Sequence, residues 1–254
     1  MNLKYTESGY MVISPGDDCK MIVDAMLTTG YYADFCLARD FEPEFIKRLM
    51  EAGFLVMSAS FDDGNEIIYT LLPKLHIERS ALFFNDLHIK KSIRRFLPCY
   101  ELRADAEFDR IINSCVEKHG ADWLTAPLVD CIKKIRYQRQ NHQPVTILKP
   151  QVVPSAYPAS FGLYRDGELV AGEFGVVYGN VYTSYSGYSN ENNAGTVQLI
   201  LTTKYLQENG FSFFDLGMPL HYKTDLGATI INMRRFVQLF RMGNKIRRVA
   251  DFKC

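Results

Sequence analysis

The chain has 254 residues, 47% of them hydrophobic and 23% charged, proportions that exclude a largely disordered protein and allow a sizeable buried core. Lysine plus arginine and aspartate plus glutamate number 29 each, so net charge announces no polyanion partner and only local clusters can supply that affinity. The length permits one large domain or a small one joined to a medium one, and two unequal domains are expected.

The six cysteines, Cys19, Cys36, Cys99, Cys115, Cys131 and Cys254, include no CxxC pair. The N-terminus lacks the basic-then-apolar pattern of a signal peptide, and no apolar run approaches the roughly 20 residues of a membrane span. A reducing, cytoplasmic setting without a membrane partner is expected. The five histidines (His76, His88, His119, His142, His221) are equally scattered, without the spacing of a zinc site, so surface or hydrogen-bonded roles and no metal are expected.

In chain order, FEPEFIKRLMEAG (41–53) has proline in its first turn, apolar residues at helical spacing and a glycine stop, and reads as a helix. Phe54 to Ser60 and Glu66 to Leu72, on either side of DDGN, read as a hairpin. Three helices follow, His88 to Phe96, Asp105 to His119 and Pro127 to Arg139, the first and last of them basic, and then a loop from Gln140 to Pro158 with four prolines. From Ala159 the pattern changes to strands Phe161 to Arg165, Glu168 to Tyr178 and Val181 to Ser186, turned at Asp166-Gly167 and Gly179-Asn180. Asn193 is expected to cap a helix from Gly195 to Glu208, and Phe211 to Leu216 reads as a short buried strand. A three-stranded meander, a helix and another strand make the β-β-β-α-β order of an N-acetyltransferase-like (GNAT) fold, in an α+β (mixed α/β) protein divided into residues 1–84, a small α/β domain, and residues 85–254.

Six segments, FEPEFIKRLMEAGF, ERSALFFNDLHIKKSIRR, AEFDRIINSCVEKHGADWL, DGELVAGEFGVVYGNVY, YSNENNAG and DLGAT, together resemble bacterial leucyl/phenylalanyl-tRNA-protein transferase. The resemblance runs in order from about residue 30 to 240. It implies an aminoacyltransferase of the N-end rule of protein degradation, whose partners are aminoacyl-tRNA and an acceptor protein or peptide N-terminus and which needs no cofactor. It also implies a donor pocket in the larger domain: Trp123 near the donor adenosine, Tyr182 at an aromatic pocket position, Leu199 on an apolar wall and Asp215 in the catalytic network. Four departures accompany it. The family's Asp-Cys-Gln becomes Asp215-Leu216-Gly217, its GESMF becomes Ser184 to Tyr188 with Tyr185 in place of Glu, its GGLYG becomes Ala171 to Gly175 with Glu173 in the pocket wall, and two tryptophans are missing around Pro73 and Lys74.

An aminoacyl ester is already activated, so amide formation needs chiefly a positioned amine and a stabilised oxyanion. The ammonium's proton has three possible destinations, Asp215, Tyr185 with a water, or solvent, and a strand parting from its neighbour beside residues 182–188 is expected to leave N–H groups for the oxyanion. Glu173 either faces the pocket, pairing with the donor's α-ammonium or favouring a basic or polar side chain, or turns outward as an ordinary glutamate. Trp123, Tyr182 and Leu199 have the alternative of plain core packing, and Asp215 that of a turn cap. Lys90, Lys91, Arg94 and Arg95, with Lys133, Lys134, Arg136 and Arg139 and with Arg234, Arg235, Arg241, Lys245, Arg247 and Arg248, form a tRNA phosphate track if they share a face and solvated helix faces if they do not. Two other functions fit the same pattern: a GNAT-fold acyltransferase with another acyl donor, disfavoured by the poor phosphate loop of Asn192 to Gly195, and a non-catalytic module that binds tRNA or a protein N-terminus.

Overall fold

The structure is a computed structural model that describes residues 3–139, 148–151 and 154–243. Most of the expected proline-rich loop, with His142, lies outside the described residues, as do Lys245, Arg247 and Arg248. The chain opens with β1 (Lys4–Tyr5), β2 (Met11–Val12), α1 (Cys19–Thr28) and α2 (Pro43–Glu51). There follow β3 (Leu55–Asp62), β4 (Ile67–Lys74), β5 (Glu78–Leu82), α3 (Lys91–Arg94), β6 (Glu101–Ala104), α4 (Phe108–His119) and α5 (Ala126–Arg139). The second half contains β7 (Tyr157–Arg165), β8 (Glu168–Tyr178), β9 (Val181–Ser189), α6 (Ala194–Glu208), β10 (Phe213–Asp215), α7 (His221–Asp225), β11 (Thr229–Asn232) and α8 (Met233–Gly243).

A seven-stranded sheet in the order β11-β5-β10-β9-β8-β7-β6 forms the centre. Turn chemistry sets its meander: Asp166 and Gly167 both take positive φ, 53° and 85°, which matches the twist of β7 and β8 as a type I′ turn does. Gly179, at φ 59°, starts the β8–β9 turn. Ten of the eleven residues of β8 are buried, because helices cover both faces of the sheet, and the strand therefore reads as a near-continuous apolar run. Its even positions, Phe174, Val176 and Tyr178, pack into the core that also holds Phe45, Ile111, Ile132 and Phe236 of α2, α4, α5 and α8. Its odd positions Ala171 and Val177 face α6, against Val197 and Leu206. β10 then pairs parallel with β9 and antiparallel with β5. The meander, helix and parallel strand are thus the N-acetyltransferase-like arrangement that the element order implied.

Other elements differ from expectation. The basic helix shrinks to the four residues of α3, since the backbone N–H of His88 donates to Leu226 O and the segment before Lys91 docks there instead of winding. Asn193 stands at the N-cap of α6 but makes no side-chain cap: its left-handed backbone, φ 68°, is not the extended geometry that brings a cap oxygen onto the helix N–H groups. A division after residue 84 assigns β5, a strand of the large sheet, to the smaller unit. Among the described residues, no helix is long and apolar enough to cross a membrane.

Candidate active site

The site is made by two strands that part. The β9–β10 ladder ends at the Thr183–Asp215 pair, so from Ser184 onward β9 has no strand partner on its β10 side among the described residues. β9 also bulges there: Phe174 opposes Ser186 while Gly175 opposes Ser184, leaving Tyr185 as the extra residue. Glycine is required at 175, because a Cβ would lie 2.2 Å from Thr183 O. In the resulting split sits a cavity of about 350 Å³. Its walls are β9 from Ser184 to Ser189, Glu173 of β8, Gln198 and Leu199 of α6, and Tyr222 and Lys223 of α7; Lys118 and His119 at the end of α4 also contribute. His119 Nε2 lies 2.7 Å from Gly187 O.

The strand register turns Glu173 inward. It is 2% exposed, Ser184 Oγ donates to its Oε2 at 2.9 Å, and its Oε1 has no partner among the described residues. Burial pushes the carboxyl up to about 7, partly opposed by the hydroxyls of Ser184 and Thr202 and by the Lys223 charge. Gln198 Nε2 donates to Thr202 Oγ1 at 3.1 Å and Phe161 O at 3.3 Å, while its buried Oε1 is likewise unpartnered. Lys223 is 8% exposed, and its Nζ donates to Leu216 O at 2.6 Å and Met218 O at 2.8 Å. Burial lowers its pKa to about 8, against the pull of Asp215 and Glu173.

The residues singled out from the sequence fall in several places. Leu199 and Tyr185 line the cavity with Glu173. Tyr182 does not: it is fully buried against Phe161 and Phe214, with ring centroids 5.2 and 5.4 Å away, and its hydroxyl has no hydrogen-bond partner among the described residues. Trp123 is half-buried against the core, and its carbonyl receives Ser58 N at 2.9 Å. Asp215 lies behind the cavity wall with all its acceptor positions in use. Arg79 Nε and Nη2 donate to it at 2.8 and 2.7 Å, Thr183 Oγ1 at 2.8 Å and Gly217 N at 3.1 Å. Arg79, equally buried, also lies over the Phe236 ring at 3.9 Å. The Tyr185 hydroxyl accepts from Val56 N at 3.2 Å and donates to Phe54 O at 3.4 Å, tying the bulge to β3.

The basic sets do not share one face. Lys90, Lys91, Arg94 and Arg95 are exposed around α3, whose Ile93 packs on the α6 side of the sheet. Lys90 Nζ reaches Asp225 of α7 at 2.6 Å, which places this set beside the cavity wall. Arg234 and Arg235 are exposed on α8, which packs on the other side of the sheet, and Arg234 donates to Leu27 O of α1. Arg136 is no surface cation: it is 4% exposed and pairs with Asp105 at 2.6 Å. Lys223, Gln198, Ser184 and Arg79 escaped the sequence reading. Arg79 alone carried a signal, a charge in the otherwise apolar-flanked ERSALFF strand.

Fold and site together define an α+β domain of N-acetyltransferase-like topology with a small-molecule-sized cavity where its central strands part. The family model described as leucyl/phenylalanyl-tRNA protein transferase matches residues 81–241. The chain belongs to that family. A leucyl/phenylalanyl-tRNA–protein transferase of Pseudomonas putida (strain W619) is 28% identical over 163 residues, 62% of this chain and 65% of that protein. One of Campylobacter jejuni (strain RM1221) is 23% identical over 228 residues, 90% of this chain and 97% of that one. Among solved structures, L-PGS from Bacillus licheniformis is 12% identical over 96% of this chain and 89% of that one at a TM-score of 0.42, a likeness too distant to carry function.

Proposed function

We propose that this chain transfers an amino acid from charged tRNA to the α-amine of an acceptor protein or peptide. The observation that carries the reading is the cavity at the parting of β9 and β10, in a chain of this family. The acceptor ammonium first gives one proton to solvent; the neutral amine then attacks the ester carbonyl, the N–C bond forms, the C–O bond breaks, and the tRNA leaves as its terminal hydroxyl carrying the amine's second proton, the third staying on the amide nitrogen. The unpaired edge of β9 beyond Thr183 supplies backbone N–H groups for the oxyanion, and Lys223, with two of its three N–H groups on carbonyls, has one left for the same charge.

The bonds of Asp215 and Tyr185 support positioning roles rather than proton transfer. Asp215 fixes Thr183 and Gly217 at the point of parting, and Tyr185 fixes the bulge. Leu199 supplies an apolar wall, and Tyr182 backs the site from the core. For Trp123 as a platform for the donor adenosine, the support is the sequence resemblance alone. The exposure of Lys90, Lys91, Arg94 and Arg95 next to α7 supports this set as the one that meets tRNA phosphates; Arg234 and Arg235, across the sheet, would need a different part of the tRNA.

The test incubates the full chain with a complete pool of charged tRNAs and peptides with varied N-terminal residues, and reads peptide masses. A peptide longer by one residue is expected. No extension of any peptide, with tRNA still bound, overturns transfer in favour of a binding module.

A further inference from the structure

An amino acid carried by tRNA hangs from the ribose of the terminal nucleotide, so an aminoacyl group seated in the cavity holds the last, unpaired base at the cavity mouth. Unpaired bases are bound by stacking on accessible aromatic rings. Among the described residues, four rings stand in the cavity wall: His119, Tyr185, Tyr188 and Tyr222. Tyr185 is tied to β3 through its hydroxyl, and Tyr188 is 7% exposed. His119 is held at Gly187 O, at the end of α4, which packs on the other side of the sheet from α3 and its cations. Tyr222 differs from all three. It is 50% exposed, its side chain makes no hydrogen bond among the described residues, and the one charged group over its ring there is Lys223 Nζ, 5.8 Å from the centroid.

The neighbours of this ring suit a single-stranded RNA end. Met218 and Leu220, both exposed, continue its apolar surface along the loop that leads into α7. Leu226, just past α7, packs in the same cluster as Ile93 of α3, and Lys90 reaches Asp225, so the exposed Lys90, Lys91, Arg94 and Arg95 lie next to α7. Apolar and aromatic surface for bases beside cations for phosphates is the combination that binds unpaired nucleotides. We propose that the terminal base of the charged tRNA stacks on Tyr222, with Leu220 and Met218 supporting the base before it. This rests on the aminoacyl-transfer reading and names, within it, the residue that receives the base. Tyr222 thereby takes the role expected of Trp123, which is half-buried against the core and outside the cavity wall.

The experiment is a cycle of protein and RNA changes. Wild type, Tyr222→Ala, Tyr222→Phe and Trp123→Ala each meet leucyl-tRNA that is intact or lacks only the base of its terminal nucleotide. Filter binding gives Kd, extension of one acceptor peptide gives kcat and KM, and thermal unfolding checks that each variant is folded. On intact tRNA, Tyr222→Ala is expected to raise Kd and KM by about 10- to 100-fold with kcat nearly unchanged, and Tyr222→Phe to recover most of that loss. On the base-less tRNA, wild type shows the same loss and Tyr222→Ala adds less than about twofold. An equal effect of Tyr222→Ala on both RNAs overturns the inference, because the ring then meets no base. A Tyr222→Phe variant as weak as Tyr222→Ala overturns it too, since that pattern belongs to the hydroxyl. Base dependence that survives in Tyr222→Ala and vanishes in Trp123→Ala returns the platform to Trp123. No peptide extension, with the coupling in Kd present, removes the transfer reading and leaves the platform standing.

Discussion

Glu173 and Asp215 are both buried carboxylates, and their surroundings give them opposite consequences. Asp215 is matched by Arg79, Thr183 and Gly217, so removing one partner leaves a buried charge alone. Arg79→Met is expected to cost roughly 3–5 kcal/mol in urea denaturation, and a loss below about 1 kcal/mol, the scale of a surface pair, would contradict the pairing. Glu173 is under-matched, and its carboxyl is raised from 4.5 to about 7 by burial. Between those values the folded chain holds a proton that the unfolded chain has lost, so stability falls as pH rises through the window and stays lower above it. Glu173→Gln removes this dependence and is expected to be more stable than wild type by about 3 kcal/mol at pH 8 and equal to it near pH 4. A difference independent of pH would show that Glu173 is not the source. The sequence marked Glu173, Leu199 and Asp215 through local pattern and resemblance. It did not mark Arg79 as the partner of Asp215, 136 positions away, because nothing local encodes which buried acid a buried base meets.

At the scale of elements, the bulge of β9 turns a continuous sheet into a site. Tyr185 is its extra residue, and its hydroxyl bridges to β3 of the first half of the chain. Tyr185→Phe leaves Val56 N and Phe54 O without that partner and is expected to lower stability by about 1–3 kcal/mol, with the pH profile of transfer unchanged. A shifted profile would instead make the hydroxyl a participant in proton transfer. Strands β7 to β9 and α6 were readable because turn residues and apolar runs are local signals. The parting itself was anticipated only as a general feature of such folds. The bulge was not, because the Gly175 that permits it looks in sequence like any strand glycine. Helices α1 and α8 went unread, although Phe236, Val237 and Phe240 of α8 form a buried stripe at helical spacing.

Across the whole molecule, charge is balanced in sum and divided in space. The set around α3 and the set on α8 lie on opposite sides of the sheet, a separation that only the three-dimensional path of the chain reveals. Reversing Lys90, Lys91, Arg94 and Arg95 to Glu is expected to weaken tRNA binding and to flatten its salt dependence by roughly 0.7–0.9 in log–log slope for each phosphate no longer neutralised. Reversing Arg234 and Arg235 is expected to change the slope less, and filter binding across a salt series compares the two. Equal changes would mean that the tRNA wraps both sides.

The central claim is that the aminoacyl end of the donor sits where β9 and β10 part. Amide hydrogen exchange of the full chain, with and without a non-hydrolysable 3′-aminoacyl-adenosine analogue, tests it at peptide resolution. Slowed exchange confined to residues 184–189 and 216–223 is the result expected. Protection instead in the separate cleft beside Tyr178 and Phe240, between α1 and α8, with residues 184–189 unchanged, would contradict it.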